Sequence, residues 1–254
     1  IYTTLSRKMA GTTEKAASWQ VKRKGIPPVT LIKEVTEVPQ PKDSDILIEV
    51  HAAALNPGEC GSVGYRQRRV IDQYPPLSTV DWKLAAFLPN FVQKIPRTMG
   101  SDVAGVVLSL GPNVSAADKE RFAPGTRVFG IAPADEVVAG KRPGTLSTHA
   151  VLNAEQAAPL PDGWSFKQGA CVPLTGLTAF AMAKHAKKGD RVLVLGGSTS
   201  VGLFLLQMLK AEGVSHVVAT ASGEKAKIVK ERGADEVIDC EYFTSRYRSF
   251  SCSS

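Results

Sequence analysis

Residues 192–202 read Val-Leu-Val-Leu-Gly-Gly-Ser-Thr-Ser-Val-Gly, and a second apolar run, Leu203 to Leu209, follows at once. A branched apolar stretch that stops at small residues and resumes as another apolar stretch predicts a buried strand turning sharply into a helix. Such turns hold phosphate, because the first turn of a helix has unpaired N–H groups and a positive partial charge. Gly196, Gly197 and Gly202 allow close approach of backbone and phosphate, and Ser198, Thr199 and Ser200 add hydroxyl donors beside Val201. In the G-x-G-x-x-G fingerprint Thr199 and Ser200 stand in the middle. The motif alone therefore leaves a pyrophosphate turn and a plain structural turn both open.

The next strand end bears on the choice of coenzyme. A site for a ribose 2′-hydroxyl carries Asp or Glu there, whereas this chain reads Ala221-Ser222-Gly223 and then Glu224-Lys225. Ser222 and Lys225 could hold a 2′-phosphate, and a hydrogen bond to such a charged group contributes roughly 1.5–3 kcal/mol. This favours NADPH over NADH. The plainer alternative is a Ser that caps a helix beside a solvated Lys.

The elements that position these residues alternate. Strands are expected at 191–195, 216–220 and 235–238 and helices at 200–212 and 223–232, the β-α-β-α-β order of a parallel nucleotide-binding sheet. Residues 164–186 have the spacing of a helical region interrupted near Pro173 and Gly176. From 19 to about 160 the texture is β with frequent turns: strands are expected at 44–55, 101–111 and 125–131. Residues 60–99 read as loop with one short helix. The two textures meet near 160–165, which gives an N-terminal extension without fixed structure (1–18), a β domain (19–162), a partial nucleotide-binding domain (163–239) and an atypical Ser-rich tail (240–254).

Bulk properties narrow the classes. The 254 residues are 43% hydrophobic and 22% charged, as in an ordinary globular protein. No apolar run reaches the roughly 20 residues of a membrane helix, so no membrane insertion is expected. The net charge of +7 comes in small clusters such as Arg66, Arg68 and Arg69, without interleaved aromatics. No nucleic-acid partner is therefore expected. Cys60, Cys171, Cys240 and Cys252 lack C-x-x-C spacing, which argues against a disulfide framework and suits a reducing, cytoplasmic compartment. Six Lys/Arg against one acidic residue among the first 25 leave a mitochondrial transit peptide as the alternative. His51, His149, His185 and His216 show no metal-ligand spacing, and Ser198 lacks the G-x-S-x-G setting of a hydrolase.

Taken together, "VHAAALNPGE" (50–59), "GSDVAGVV" (100–107), "PGTRVFG" (124–130), "PLPDGWSFKQGACVPLTGLTAF" (159–180), "VLVLGGSTSVG" (192–202) and "GADEVID" (233–239) resemble the medium-chain dehydrogenase/reductase superfamily. The resemblance is to its zinc-independent, quinone oxidoreductase-like branch. It implies an α/β protein with a β-barrel: a GroES-like substrate domain followed by a Rossmann doubly wound parallel sheet, here partial. Zinc-dependent members place Cys at Asn56 and His at Ser101, leaving Cys171 as one candidate ligand of three, too few for a catalytic zinc. No metal is expected, and Cys171 is expected to be a small buried residue.

The resemblance further implies Asn56 as a substrate-positioning residue, Tyr65 as a hydrogen-bond donor, and Thr175 as a contact of the nicotinamide carboxamide. It implies hydride transfer from NADPH to a quinone, a carbonyl or an activated enone or enoyl double bond, and a homodimer if the chain is full length. A trans-acting enoyl reductase and a non-catalytic NADP-binding scaffold are the alternatives. The text after Asp239 departs from the family, so a C-terminal truncation is expected, with strand 235–238 left short of the neighbours that would bury it.

Overall fold

The computed structural model describes residues 15–22, 31–54 and 94–240. They form two compact units that divide after Leu174, later than the change of texture at 162/163.

The first unit is antiparallel β. Strands β1 (Lys15–Val21), β2 (Leu31–Glu37), β3 (Asp45–Ala52), β4 (Arg97–Thr98), β5 (Asp102–Leu110), β6 (Arg127–Ile131), β7 (His149–Asn153) and β8 (Ala157–Pro159) make two sheets. Their orders are β7-β3-β5-β6-β8 and β2-β1-β4. β3 and β5 are central and read as near-continuous apolar runs because both faces are covered. Ile46, Ile48, Val103, Val107, Phe122, Val128 and Leu152 form the core between them and their neighbours. A Cβ at Gly105 would fall 1.9 Å from the Glu49 carbonyl, so β3 and β5 meet closely only because position 105 has no side chain. Two short helices, α1 (Ala116–Arg121) and α2 (Ala134–Val138), close turns of this unit.

Two expectations change here. Residues 15–18 are not part of an unstructured extension: they begin β1, whose seven residues pair with β2. Ala16 and Ser18 are buried there. Residues 163–174 pack with the β unit, because α3 (Phe166–Ala170) sets Phe166 and Ala170 against Ala52, Ala104 and Phe129. Ser165 and Gln168 form a capping box at the start of α3, which fixes where that helix begins.

The second unit is parallel. β9 (Arg191–Val194), β10 (His216–Ala221) and β11 (Glu236–Asp239) lie in the order β11-β10-β9. Helices α4 (Pro173–Ala183), α5 (Ser200–Ala211) and α6 (Ala226–Glu231) accompany them. Ala179, Val194, Leu205, Leu206, Leu209, Val217 and Val229 share one core. The expected spans hold to within a residue or two, except that helix 223–232 starts as a 3-10 turn over Gly223–Lys225.

The open apolar surface is not centred on strand 235–238. In this order β9 occupies the opposite edge, and Leu193 and Leu195 are 57% and 77% exposed against 37% for Ile238. Leu177, Phe180 and Met182 of α4 are exposed as well. Among the described residues no helix is long and apolar enough to cross a membrane.

Asp235 fastens β11 to its neighbours. Lys210 Nζ reaches its two oxygens at 2.8 and 2.6 Å, and the Val217 N–H donates at 2.7 Å. The Lys210 hydrogen bond, followed by that of Val217, holds the Asp235 carboxyl below its ordinary value. A depressed carboxyl contributes stability above its unfolded pKa and loses it as pH falls through the folded value. Asp235→Asn is therefore expected to be less stable than wild type at neutral pH. The two midpoints should converge as pH falls below the ordinary carboxylate range, read by thermal unfolding against pH.

Candidate functional site

The turn after β9 is fixed residue by residue. Gly196 has φ of +79°, a conformation that side chains disfavour. Thr199 is the N-cap of α5, with φ −73° and ψ 160°. Its Oγ1 donates to the Gly196 carbonyl at 2.8 Å and accepts the Gly202 N–H at 3.0 Å. The hydroxyl expected to face a ligand is thus spent inside the turn. This is also why a Thr can stand where the fingerprint has glycine: its side chain closes the turn instead of clearing it.

The flanking glycines are required for space. A Cβ at Gly202 would meet the Gly196 carbonyl at 2.4 Å and Gly197 Cα at 2.8 Å. A Cβ at Gly197 would meet Ala219 Cβ at 2.8 Å. Helix and strand ends therefore approach to backbone contact, as a phosphate cradle needs. With Gly202 N–H capped by Thr199, the amides of Ser200 and Val201 have no protein acceptor among the described residues. Both lie in the first turn of a twelve-residue helix, and Ser200 is exposed. Two N–H donors at a positive helix end can bind a diphosphate oxygen.

Beyond β10, Ser222 precedes the 3-10 turn but makes no side-chain capping bond. Its hydroxyl is therefore not occupied in the way the plainer reading required. It is half-buried, while Lys225 is exposed. Two residues that sequence reasoning passed over also belong to this end of the sheet. Thr220 Oγ1 accepts the Gly196 N–H at 2.8 Å. Asp239 closes β11, and a Cβ at Gly223 would lie 3.5 Å from its Oδ2. Asp239 ends the quoted GADEVID stretch and Thr220 lies in no quoted motif, and both reach this end of the sheet through pairing between strands distant in sequence.

Thr175 is buried in the first turn of α4. The preceding residue, Leu174, donates its N–H to Oδ1 of the fully buried Asp102 at 2.9 Å, and Pro173 starts the helix where no N–H is needed. Asn56 and Tyr65 lie outside the described residues. The structure thus brings Gly196, Gly197, Ser198, Thr199, Ser200, Val201 and Gly202 together at the turn, beside the strand that leads to Ser222 and Lys225.

Comparison with known proteins gives this geometry its context. Residues 42–162 match the alcohol dehydrogenase GroES-like domain. The chain is 37% identical over 213 residues to the trans-enoyl reductase tndF of Aspergillus flavipes, covering 79% of this chain and 53% of that protein. It is 32% identical over 218 residues to human quinone oxidoreductase, covering 85% of this chain and 56% of that protein. A mycobacterial protein solved in complex with NADPH superposes with a TM-score of 0.65 at 28% identity, over 92% of this chain and 63% of that one. The chain belongs to the medium-chain dehydrogenase/reductase superfamily. It spans about half the length of the two curated relatives.

Of the three positions that the resemblance aligns with zinc ligands, Ser101 and Cys171 lie among the described residues. Ser101 is buried, and its carbonyl accepts the Ala132 N–H at 2.8 Å. Cys171, expected to be buried, is exposed. It ends the five-residue α3, whose buried residues are Gly169 and Ala170, so the helix turns position 171 outward. Among the described residues no three His, Cys, Asp or Glu side chains gather as a metal site would require.

Gly202→Ala is expected to force α5 away from the turn, lowering stability by about 1–3 kcal/mol and abolishing dinucleotide binding. Denaturant unfolding and titration with NADPH read the two effects. Thr199→Val should cost about 1 kcal/mol through loss of the cap, with Thr199→Ser close to wild type.

Proposed function

We propose that this chain carries the coenzyme turn and substrate domain of an NADPH-dependent, metal-independent oxidoreductase that reduces a quinone or an activated enone or enoyl double bond. The observation that carries this reading is the turn at 196–202, where two glycines permit backbone contact and the Ser200 and Val201 amides have no protein acceptor among the described residues. A bound nicotinamide coenzyme would supply hydride. In this reading the helix end of α5 holds the pyrophosphate, and Ser222 and Lys225 hold the 2′-phosphate. Thr175 contacts the carboxamide, Asn56 orients the substrate, and Tyr65 donates a hydrogen bond to the oxygen that gains charge. With Asn56 and Ser101 at the ligand positions, polarisation of the substrate falls to hydrogen-bond donors.

Similarity to a trans-enoyl reductase and to a quinone oxidoreductase supports both substrate classes. The substrate is a small molecule in either case, or an enoyl group delivered on a carrier. A reducing compartment such as the cytoplasm suits the cysteines, and pairing of two chains is compatible with this reading.

Calorimetric titration of the purified chain with NADPH and with NADH tests the assignment. Saturable binding with preference for NADPH is expected, and a folded chain that binds neither would overturn it. Lys225→Ala should weaken NADPH by about tenfold or more, from the loss of a charge-assisted contact, with little change for NADH. Metal analysis is expected to find no stoichiometric zinc.

A further inference from the structure

Thr220 is the next-to-last residue of β10. Its Oγ1 accepts the Gly196 N–H at 2.8 Å, and its carbonyl accepts the Gly197 N–H at 2.8 Å. One residue of the neighbouring strand thus holds two successive amides of the turn. The second of those peptides is gripped from its other side as well. The Gly196 carbonyl receives the Thr199 N–H at 3.0 Å and the Thr199 hydroxyl at 2.8 Å. Thr199 Oγ1 in turn accepts the Gly202 N–H. An unbroken line of hydrogen bonds runs from β10, through the turn, into the first turn of α5.

The same strand runs on to Ser222. Side chains two apart on an extended chain lie on one side, and Ser222 keeps extended backbone at φ −76° and ψ 146°. Thr220 and Ser222 therefore face alike, one toward the turn and the other toward the 3-10 segment with Lys225. We propose that Thr220 is a positioning residue that sets the peptide planes of the pyrophosphate turn and ties that turn to the 2′-phosphate pocket. This rests on the coenzyme reading given above.

The side chain requirement is specific. Valine has nearly the shape of threonine and suits a strand, yet offers no acceptor, so Thr220→Val leaves the Gly196 N–H unpaired without opening a cavity. Serine restores the hydroxyl. The Gly197 N–H, held by the backbone carbonyl of residue 220, keeps its partner in both variants.

Two measurements on the intact chain test the proposal. The first is amide hydrogen exchange by NMR with no coenzyme present. Thr220→Val should speed exchange at Gly196 by about tenfold or more while Gly197 stays protected, and Thr220→Ser should restore Gly196 protection. The second is titration with NADPH and NADH. Thr220→Val should weaken both by a similar factor, about fivefold for one neutral hydrogen bond, and Thr220→Ser should recover most of the loss. Unchanged exchange at Gly196 would overturn the anchoring role. Unchanged affinity for both coenzymes would overturn the positioning role, and weakening confined to NADPH would place Thr220 in the 2′-phosphate pocket instead of at the turn. If the wild-type chain binds neither coenzyme, the coenzyme reading fails, and the exchange measurement still decides whether Thr220 holds the turn.

Discussion

The contact between the first turn of α5 and the backbone of Gly196 and Gly197 is the constraint on which the second unit depends. A single Cβ at position 202 would come within 2.4 Å of the Gly196 carbonyl, far inside the separation that packed atoms tolerate. With that Cβ absent, the helix axis can come down on the strand ends, so that Leu205, Leu206 and Leu209 reach the core that also holds Val194 and Val217. The same closeness brings the amides of Ser200 and Val201 to the mouth of the turn. Close packing and the presentation of those two amides are thus two consequences of one missing side chain.

The threonines refine what the glycines permit. A helix leaves four N–H groups without intrahelical partners at its start. Thr199 satisfies one of them, that of Gly202, and turns its hydroxyl proton to Gly196. The amides of Ser200 and Val201 remain without a protein acceptor among the described residues. A glycine at 199 would leave the Gly202 amide free too, but would leave the Gly196 carbonyl held only by the backbone. The chain gives up one donor and gains a rigid one-sided arrangement of the others. For the pyrophosphate binding proposed above that exchange is favourable, because the geometry is set before the ligand arrives.

Much of this was legible along the chain. The parallel unit was readable because each of its strands is a short apolar run bounded by small residues, and because α5 repeats Leu205, Leu206 and Leu209 on one face. β3 and β5 were readable for the same reason in the first unit. The β1–β2 hairpin was not, because β2 is an edge strand with Ile32 and Val35 exposed and charged residues between them, a pattern without a buried face. The turn was legible as composition, but not the role of its middle residue: sequence offers Thr199 as a hydroxyl, and only the cap geometry shows that the hydroxyl is consumed. Thr220 carried no signal at all, since its bond to Gly196 joins residues 24 apart. Cys171 failed for a local reason: α3 ends at the buried Ala170, and Cys171, the cap that follows, falls outside the face the helix buries.

The two edges of the parallel sheet bear differently on the site. Strands of parallel sheets are ordinarily covered on both faces, yet Leu193 of β9 and Leu195 just after it are exposed, as are Leu177, Phe180 and Met182 of α4. The bonds that tie the turn to a neighbouring strand point the other way. Gly196 and Gly197 are held by Thr220 of β10, Gly197 packs on Ala219 and Val229, and Asp235 locks β11 to Lys210 of α5. The geometry of the turn is thus anchored to β10, on the side away from the open edge. Loss or gain of cover on β9 and α4 therefore acts on the stability of the sheet before it acts on the turn. In the reading proposed above, the adenine and pyrophosphate end of the coenzyme falls to the anchored side, whereas Thr175 belongs to α4, the helix whose Leu177, Phe180 and Met182 are exposed.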